Sequence, residues 1–207
     1  MIEYVKPAEI EKRSFEIIEG ELFDNGIVLD ETNAPVIKRC IHTSADFDYA
    51  KTLVFSEGAV AVARDLIKKG AKIVTDTNMA LSGINKKRLA EYGGEVFCFM
   101  ADEEVAKEAK EREMTRAAVS MEKASRIKGP VIFAIGNAPT ALIKLHEMYE
   151  NGIYKPAFII GVPVGFVNVV AAKELIIDSD IDFIVNRGRK GGSNIAAAIV
   201  NALLYGI

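Results

Sequence analysis

Short, continuously apolar segments alternate with longer amphipathic segments from about residue 71 onward, and this alternation constrains the fold more than any other feature of the sequence. The apolar segments lack the polar alternation of a one-sided strand, so both of their faces should be covered, as in a parallel sheet. Parallel neighbours need crossover helices between them. The five predicted strands lie at residues 72–76, 95–99, 131–135, 157–160 and 182–185.

The segments between and after these strands predict helices over residues 79–92, 102–127, 138–150, 166–175 and 193–204. Together they indicate an α/β fold: a three-layer, doubly wound, flavodoxin-like parallel sheet of five strands in the order 2-1-3-4-5. The first 70 residues predict a helical N-terminal extension, with apolar residues at helical spacing over 10–18, 35–41 and 55–68 and a loop over 19–33. The length of 207 residues favours a single domain over residues 1–207.

Composition narrows the functional classes. A net charge of −3 argues against nucleic acid as the main partner. No apolar run approaches the roughly 20 residues that a membrane-spanning helix needs, so no membrane partner is expected. The two cysteines, Cys40 and Cys98, cannot form a disulfide framework, and neither is part of a CxxC pair. We therefore expect a cytoplasmic protein without a metal site.

Glycine, proline and small polar residues collect where the predicted strands end. Ligands of doubly wound sheets bind at the carboxyl ends of the strands, so these turns are candidates for a binding site. The turn at 186–193 adds Arg187, Arg189 and Lys190 just ahead of a helix, whose free N–H groups attract oxyanions. This turn predicts a negatively charged ligand. The alternative is a solvated basic loop that pairs with the acidic segment 178–182.

The chain contains only two histidines, which limits the candidates for acid–base chemistry. His146 lies in a helical segment with an apolar stripe, where a structural role is the simpler interpretation. His42 follows an amphipathic segment and precedes residues that favour caps and turns. A helix that ends near Ile41 would place His42 at the negative end of the helix dipole, which stabilises imidazolium by roughly 0.3–1 kcal/mol and keeps a proton available near neutral pH. The residues alone thus indicate an enzyme that binds a small anion and uses His42 as acid or base, while a structural role for a single histidine stays open.

Six segments of the sequence resemble, in order, those of one family, the precorrin-8X methylmutases, also called cobalt-precorrin-8 methylmutases. The resemblance runs over nearly the whole length. It departs from the family pattern at Ala171 and Ala172, where many relatives carry Glu-Ser, whereas the following Lys173 is kept. The matching segments are EKRSFEII at 11–18, RCIHTSADFD at 39–48, TDTNM at 75–79 with SGI at 82–84, AIGNAPTAL at 134–142, GVPVGFVN at 161–168 and NRGRKGGSN at 186–194.

The resemblance implies an isomerase of cobalamin biosynthesis that moves a methyl group from C-11 to C-12 of precorrin-8 or cobalt-precorrin-8, giving hydrogenobyrinate or cobyrinate. No redox change and no added cofactor is implied. The resemblance also implies that His42 protonates the macrocycle as general acid, and that a homodimer forms whose subunits complete each other's pockets. One alternative is a non-catalytic carrier of the tetrapyrrole, and another is a nucleotide-binding enzyme, although no phosphate-binding motif is complete.

Nine further residues are expected to bind the substrate, a flat macrocycle edged with acetate and propionate groups. By the resemblance, Arg39 should pair with one of these carboxylates, and an arginine in the region of Arg116 reaches the active site. The basic residues of the last turn and the small polar residues at the strand ends should meet other parts of the ligand. The expected residues are Ser14, Arg39, Thr77, Arg116, Asn137, Thr140, Gly161, Arg187 and Lys190.

Overall fold

A computed structural model describes residues 2–207, and its centre is a six-stranded sheet. The strands are β1 (Leu53–Phe55), β2 (Lys72–Thr75), β3 (Val96–Phe97), β4 (Val131–Ile135), β5 (Phe158–Gly161) and β6 (Phe183–Asn186). Their order in the sheet is β1-β6-β5-β4-β2-β3. Strands β2 to β6 are all parallel to one another, and β1 pairs antiparallel with β6 at the edge.

Helices cover both faces of this sheet. Within residues 2–207 they are α1 (Ile10–Asp24), α2 (Ala34–Ser44), α3 (Tyr49–Thr52), α4 (Ala59–Lys68), α5 (Asn78–Gly83), α6 (Lys86–Ala90), α7 (Glu103–Glu111), α8 (Arg116–Ala124), α9 (Pro139–Glu150), α10 (Val169–Ile177) and α11 (Ser193–Tyr205), with a 3-10 helix at Pro7–Glu9. No helix in this part of the chain is long and apolar enough to cross a bilayer.

The predicted sheet is confirmed, with one addition. All five predicted strands are present, and counted in chain order they follow the predicted sequence 2-1-3-4-5. The prediction of five strands was incomplete, because β1 adds a sixth at the edge, where Val54 pairs with Val185. The three apolar residues of β1 are too few to show a periodicity, so the sequence does not predict this strand. They form a strand because they pair with β6.

Two predicted helices are divided in the structure. The helix expected over 79–92 becomes α5 and α6, because the side chain of Asn85 caps the start of α6. The helix expected over 102–127 becomes α7 and α8, because Glu113 has a left-handed φ of 53° and Thr115 caps α8. Side-chain oxygens that accept from the first free N–H groups favour a new helix start at these positions.

Successive strand residues point to opposite faces of the sheet, and each face has its own apolar core. Ile132 of β4 belongs to a cluster with α2, α4, α5 and α11, whereas Phe133 belongs to a cluster with α8, α9 and α10. Helix α11 packs against the sheet, and α2 packs against α11. The three-layer sandwich with a helical N-terminal extension is therefore confirmed.

The N-terminal helices follow the predicted apolar spacing, but their boundaries differ. The helix expected over 55–68 begins at Ala59, because Phe55 belongs to β1. Helix α1 continues through Asp24, so the loop expected over 19–33 is shorter than predicted. Helix α2 buries one apolar face, as its sequence predicts. The buried residues of α2 are Val36, Ile37, Cys40 and Ile41.

The carboxyl ends of the parallel strands come close to the start of α11, and two glycines permit this contact. A Cβ atom on Gly136 would lie 2.6 Å from Cα of Ser193 and 2.8 Å from the Gly192 carbonyl oxygen. A Cβ atom on Gly191, which has a φ of +155°, would lie 2.1 Å from the Val162 carbonyl oxygen. Only backbones without side chains can approach this closely, so three turns meet at one edge of the sheet.

Candidate active site

His42 lies in the last turn of α2, which ends at Ser44, so the predicted position near the negative end of a helix is confirmed. The side chain is exposed, and its ring stacks on Phe15 of α1 with centroids 5.2 Å apart and 21° between the planes. The Ser44 hydroxyl donates to the Cys40 carbonyl at 2.8 Å, so one of the last helix carbonyls is satisfied without the imidazole. The imidazole is thus oriented by an aromatic ring while it stays accessible.

His42 and Ser14 line the same cavity, which has a volume of about 300 Å³. Its other lining residues are largely apolar and come from α1, α2 and the segment after α2, among them Ile17, Ile41 and Phe47. The Ser14 hydroxyl donates to the Ile10 carbonyl at 2.9 Å, so the hydroxyl oxygen can still accept a hydrogen bond from a ligand. An apolar cavity with a few polar groups is typical of small-molecule sites.

Arg39 lies one turn before His42 and is largely buried. Its guanidinium lies 4.9 Å from the ring centroid of Phe15 and 5.5 Å from that of Tyr205, and it pairs with Glu11. The Arg39 hydrogen bond holds the pKa of Glu11 below its ordinary value, although partial burial opposes this. Arg39 lines two further cavities, of about 320 and 240 Å³, and not the one that contains His42.

Asp76 directly follows β2 and organises the turn after β4. Its fully buried carboxylate accepts backbone hydrogen bonds from Gly136 at 2.8 Å, Asn137 at 2.8 Å and Ala138 at 2.6 Å. Burial raises the pKa of Asp76, and the three hydrogen bonds oppose that rise. The turn is thereby fixed, while the predicted site residue Asn137 keeps its side chain exposed.

Two more predicted residues, Thr77 and Thr140, make side-chain hydrogen bonds near the ends of the parallel strands, and a third, Arg116, is a chain neighbour of one of their partners. Thr77 caps α5, and its hydroxyl oxygen lies 2.7 Å from that of Ser193 at the start of α11. Thr140 accepts a hydrogen bond from the Thr115 hydroxyl at 2.9 Å. Arg116 follows Thr115 in the chain and is exposed, so this arginine lies beside the turn that carries Thr140.

Gly161 ends β5 and is buried. A Cβ atom there would lie 3.1 Å from a methyl group of Val185 and 3.4 Å from Leu142, so its surroundings are core side chains. The loop that follows reaches the surface, where Val164 and Phe166 are exposed. A ligand at the strand ends would therefore meet this loop rather than the Cα of Gly161.

The loop between β6 and α11 (residues 187–192, hereafter the basic loop) is held from inside by two buried polar side chains. Nζ of Lys173 donates to the carbonyls of Gly188 at 2.7 Å and Lys190 at 2.8 Å. Nδ2 of Asn186 donates to the same Lys190 carbonyl at 2.9 Å. These carbonyls point inward, and the basic side chains of the loop are exposed.

The two arginines of the basic loop have different partners from those that the alternative interpretation predicted. Nε of Arg187 lies 3.4 Å from a carboxylate oxygen of Glu174 on α10. The guanidinium of Arg189 lies 5.3 Å from the ring centroid of Phe166. Among residues 2–207, no ion pair joins the basic loop to the acidic segment 178–182. The expected partners were wrong, although the loop does form ion pairs.

Lys190 connects the basic loop to the segment that follows His42. Its Nζ lies 2.6 Å from carboxylate oxygens of both Asp46 and Asp48. The Lys190 hydrogen bond holds the pKa of Asp46 below its ordinary value, and the two carboxylates raise the pKa of Lys190. Lys190 is thereby joined, beside the end of α2, to two residues that lie 144 and 142 positions earlier in the chain.

The buried polar residues that fix these turns were missing from the predicted set. Asp76, Lys173 and Asn186 each interrupt or follow an apolar segment that is otherwise buried. A polar residue in such a position needs a partner, and this was the signal that could have revealed them. Phe15, which stacks on the imidazole, is the neighbour of the predicted residue Ser14.

The candidate site contains one accessible imidazole, an apolar wall and several cations. An imidazole can donate a proton near neutral pH, and guanidinium and ammonium groups bind carboxylates. In the part of the chain that the structure describes, no three His, Cys, Asp or Glu side chains come together as they would around a metal ion. The imidazole, the apolar wall and the cations together suit proton transfer to a large anionic ligand with an apolar face.

Comparison of the sequence with known proteins gives one family. The family model for precorrin-8X methylmutase matches residues 9–206. The chain is 43% identical to the cobalt-precorrin-8 methylmutase of Salmonella typhimurium, over 97% of this chain and 95% of that relative. It is 40% identical to the cobalt-precorrin-8 methylmutase of Priestia megaterium, over 96% of this chain and 88% of that relative. It is also 39% identical to the precorrin-8X methylmutase of Pseudomonas aeruginosa, over 98% of both chains.

Comparison of the fold with solved structures agrees. The crystal structure of a precorrin-8X methylmutase from Thermus thermophilus superposes with a TM-score of 0.86 at 36% sequence identity. The superposition covers 95% of this chain and 96% of the other.

Proposed function

This chain belongs to the precorrin-8X methylmutase family, an isomerase family that moves a methyl group within one molecule, and we propose that it converts precorrin-8 or cobalt-precorrin-8. In this reaction the methyl group shifts from C-11 to C-12, with His42 as general acid. The products are hydrogenobyrinate or cobyrinate in cobalamin biosynthesis. The observation that supports this role is the exposed imidazole of His42, stacked on Phe15 in the cavity that it shares with Ser14.

The proposed reaction balances without a second reactant. The carbon–carbon bond from the methyl group to C-11 breaks as the bond to C-12 forms, so no atom enters or leaves. His42 donates a proton to the conjugated ring, which makes the receiving carbon more electron-poor, and the proton is returned after the shift. A positioned acid contributes typically about 10²- to 10⁴-fold in rate. Holding the ring so that the methyl group moves in one direction supplies the remainder.

The charges around the site fit a polycarboxylate. Arg39 lies one turn from His42, Arg116 lies beside the β4–α9 turn, and Arg187 and Lys190 lie on the basic loop, which ion pairs join to the segment after α2. We assign these four cations to the acetate and propionate groups at the edge of the macrocycle. Thr77, Asn137 and Thr140 would offer hydrogen bonds at the strand ends, and the exposed loop after Gly161 would supply an apolar surface.

A second copy of the chain would complete the pocket. Sites for drug-sized ligands have volumes of about 300–1,000 Å³, and the cavity beside His42 is about 300 Å³, whereas a corrin is larger than a drug-sized molecule. A homodimer that closes over the exposed His42 would give the missing wall. Light scattering at assay concentration should give twice the chain mass, and a fully active monomer would contradict this arrangement.

The histidine assignment is tested by His42→Asn, with His146→Asn as the matched control. His146 lies on α9, 3.8 Å from Glu150, and its replacement should leave turnover unchanged. The His42 variant should bind cobyrinate as the wild type does and lose about 10²- to 10⁴-fold in turnover, as measured by the absorption change of the corrin. Unchanged turnover would remove the general-acid role.

Two further results of this assay separate the alternatives. A wild-type protein that binds the ring without rearranging it would be a carrier. Incubation with the metal-free and the cobalt-bearing substrate in parallel shows which of the two the enzyme converts.

A further inference from the structure

Lys173 on α10 is a buried lysine whose charge is not used in an ion pair. The side chain is fully buried, and among residues 2–207 no carboxylate lies within ion-pair distance of its Nζ. Its ammonium donates instead to two carbonyls of the basic loop, those of Gly188 and Lys190. Burying a charge away from water is costly unless hydrogen bonds compensate, so this residue needs an explanation beyond packing.

We propose that Lys173 is a positioning residue that fixes the basic loop, so that Arg187 faces a carboxylate-bearing ligand while Lys190 holds the segment that follows His42. This inference rests on the proposed function for the identity of that ligand. Lys173 does not touch the ligand in this account, because its Nζ is enclosed by the loop carbonyls.

The contacts form one continuous path from α10 to the end of α2. The Lys190 carbonyl accepts from both Lys173 and Asn186, which fixes the backbone at that residue. The Lys190 side chain then contacts Asp46 and Asp48, which follow α2. Burial lowers the pKa of Lys173 to about 8, so the ammonium persists at neutral pH. Charged donors give hydrogen bonds about twice as strong as neutral ones.

Replacing Lys173 by methionine keeps most of the side-chain volume and removes every donor. The Gly188 carbonyl then loses its Lys173 hydrogen bond, and the Lys190 carbonyl keeps only the one from Asn186. A buried carbonyl without a partner favours a change of the loop toward water. We therefore expect Lys173→Met to bind cobyrinate about tenfold more weakly, which corresponds to about 1.4 kcal/mol, as measured by absorption titration.

Lys68→Met is the matched control for the loss of one lysine. Lys68 is exposed at the end of α4, four residues before β2 begins, so it lies near the amino ends of the parallel strands, opposite the site. This variant should bind cobyrinate as the wild type does. Equal affinity of wild type and Lys173→Met would overturn the inference.

A double-mutant cycle with Arg187→Ala tests whether Lys173 acts through the loop. If it does, the loss of affinity caused by Arg187→Ala should be smaller in the Lys173→Met background than in the wild type. Strictly additive losses would show that Lys173 affects binding by another route and would overturn the inference.

Hydrogen exchange keeps this test independent of the ligand. The Gly192 N–H donates to the Val162 carbonyl at 2.9 Å, and amides 187–192 should exchange faster in Lys173→Met than in the wild type. If the wild type binds neither cobyrinate nor hydrogenobyrinate, the proposed function fails, and unchanged exchange would separately refute the positioning role. If Lys173→Met does not fold, Lys173→Gln, which keeps a neutral donor, is used in its place. If neither variant folds, Lys173 is required for the fold and the positioning role is overturned.

Discussion

Gly136→Ala adds only one methyl group, but it should destabilise the protein strongly. The new Cβ would lie 2.6 Å from Cα of Ser193, 2.8 Å from its nitrogen and 2.8 Å from the Gly192 carbonyl oxygen. All three neighbours are backbone atoms, so no side chain can rotate away. Overpacking of a close-packed region costs typically about 1–3 kcal/mol, and the upper part of that range is expected because a strand turn and the start of α11 must separate.

The assay is thermal and urea unfolding, with Gly20→Ala as the control. Gly20 lies within α1, and a Cβ atom there meets nothing within 4 Å. Because glycine is a poor helix former, that substitution should stabilise the protein by roughly 0.5–1 kcal/mol. For a chain of this length, about 1 kcal/mol shifts the melting temperature by roughly 2–4 °C. A Gly136→Ala protein as stable as the wild type would contradict this expectation, because it would show that the two backbones can separate without loss.

Two further substitutions test the polar contacts of the site. In Asp76→Asn an amide group would face the backbone N–H groups that bind a carboxylate in the wild type. We expect a loss of about 1–3 kcal/mol in the free energy of unfolding. A urea midpoint equal to that of the wild type would contradict this. Asp46→Asn tests the Lys190 pair. Because Lys190 lowers the pKa of folded Asp46 from 3.8, the pair stabilises the fold above that value and loses its effect as pH falls through the lower folded value. The difference in urea midpoint between Asp46→Asn and wild type should therefore shrink below about pH 4, and a constant difference would count against the pair.

The place of His42 in the fold could be predicted from the sequence, but the grouping of the candidate site residues could not. The position of His42 in the last turn of a helix could be predicted, because caps and apolar spacing are properties of neighbouring residues. That Ser14 and His42 share a cavity while Arg39 lines two others depends on how α1 and α11 pack on α2. The packing angle between helices cannot be predicted from the pattern of apolar residues within each helix.

The doubly wound sheet could be predicted from the order of residues, because continuous apolar strands separated by amphipathic helices can bury both faces in few other ways. The partners of the buried and charged groups, in contrast, depend on how distant parts of the chain pack together. Lys190 meets Asp46 from 144 positions away, and Asp76 finds its three N–H donors beyond position 135. Periodicity is a short-range property of the chain, whereas such pairs exist only after the strands have assembled and brought their ends to one edge.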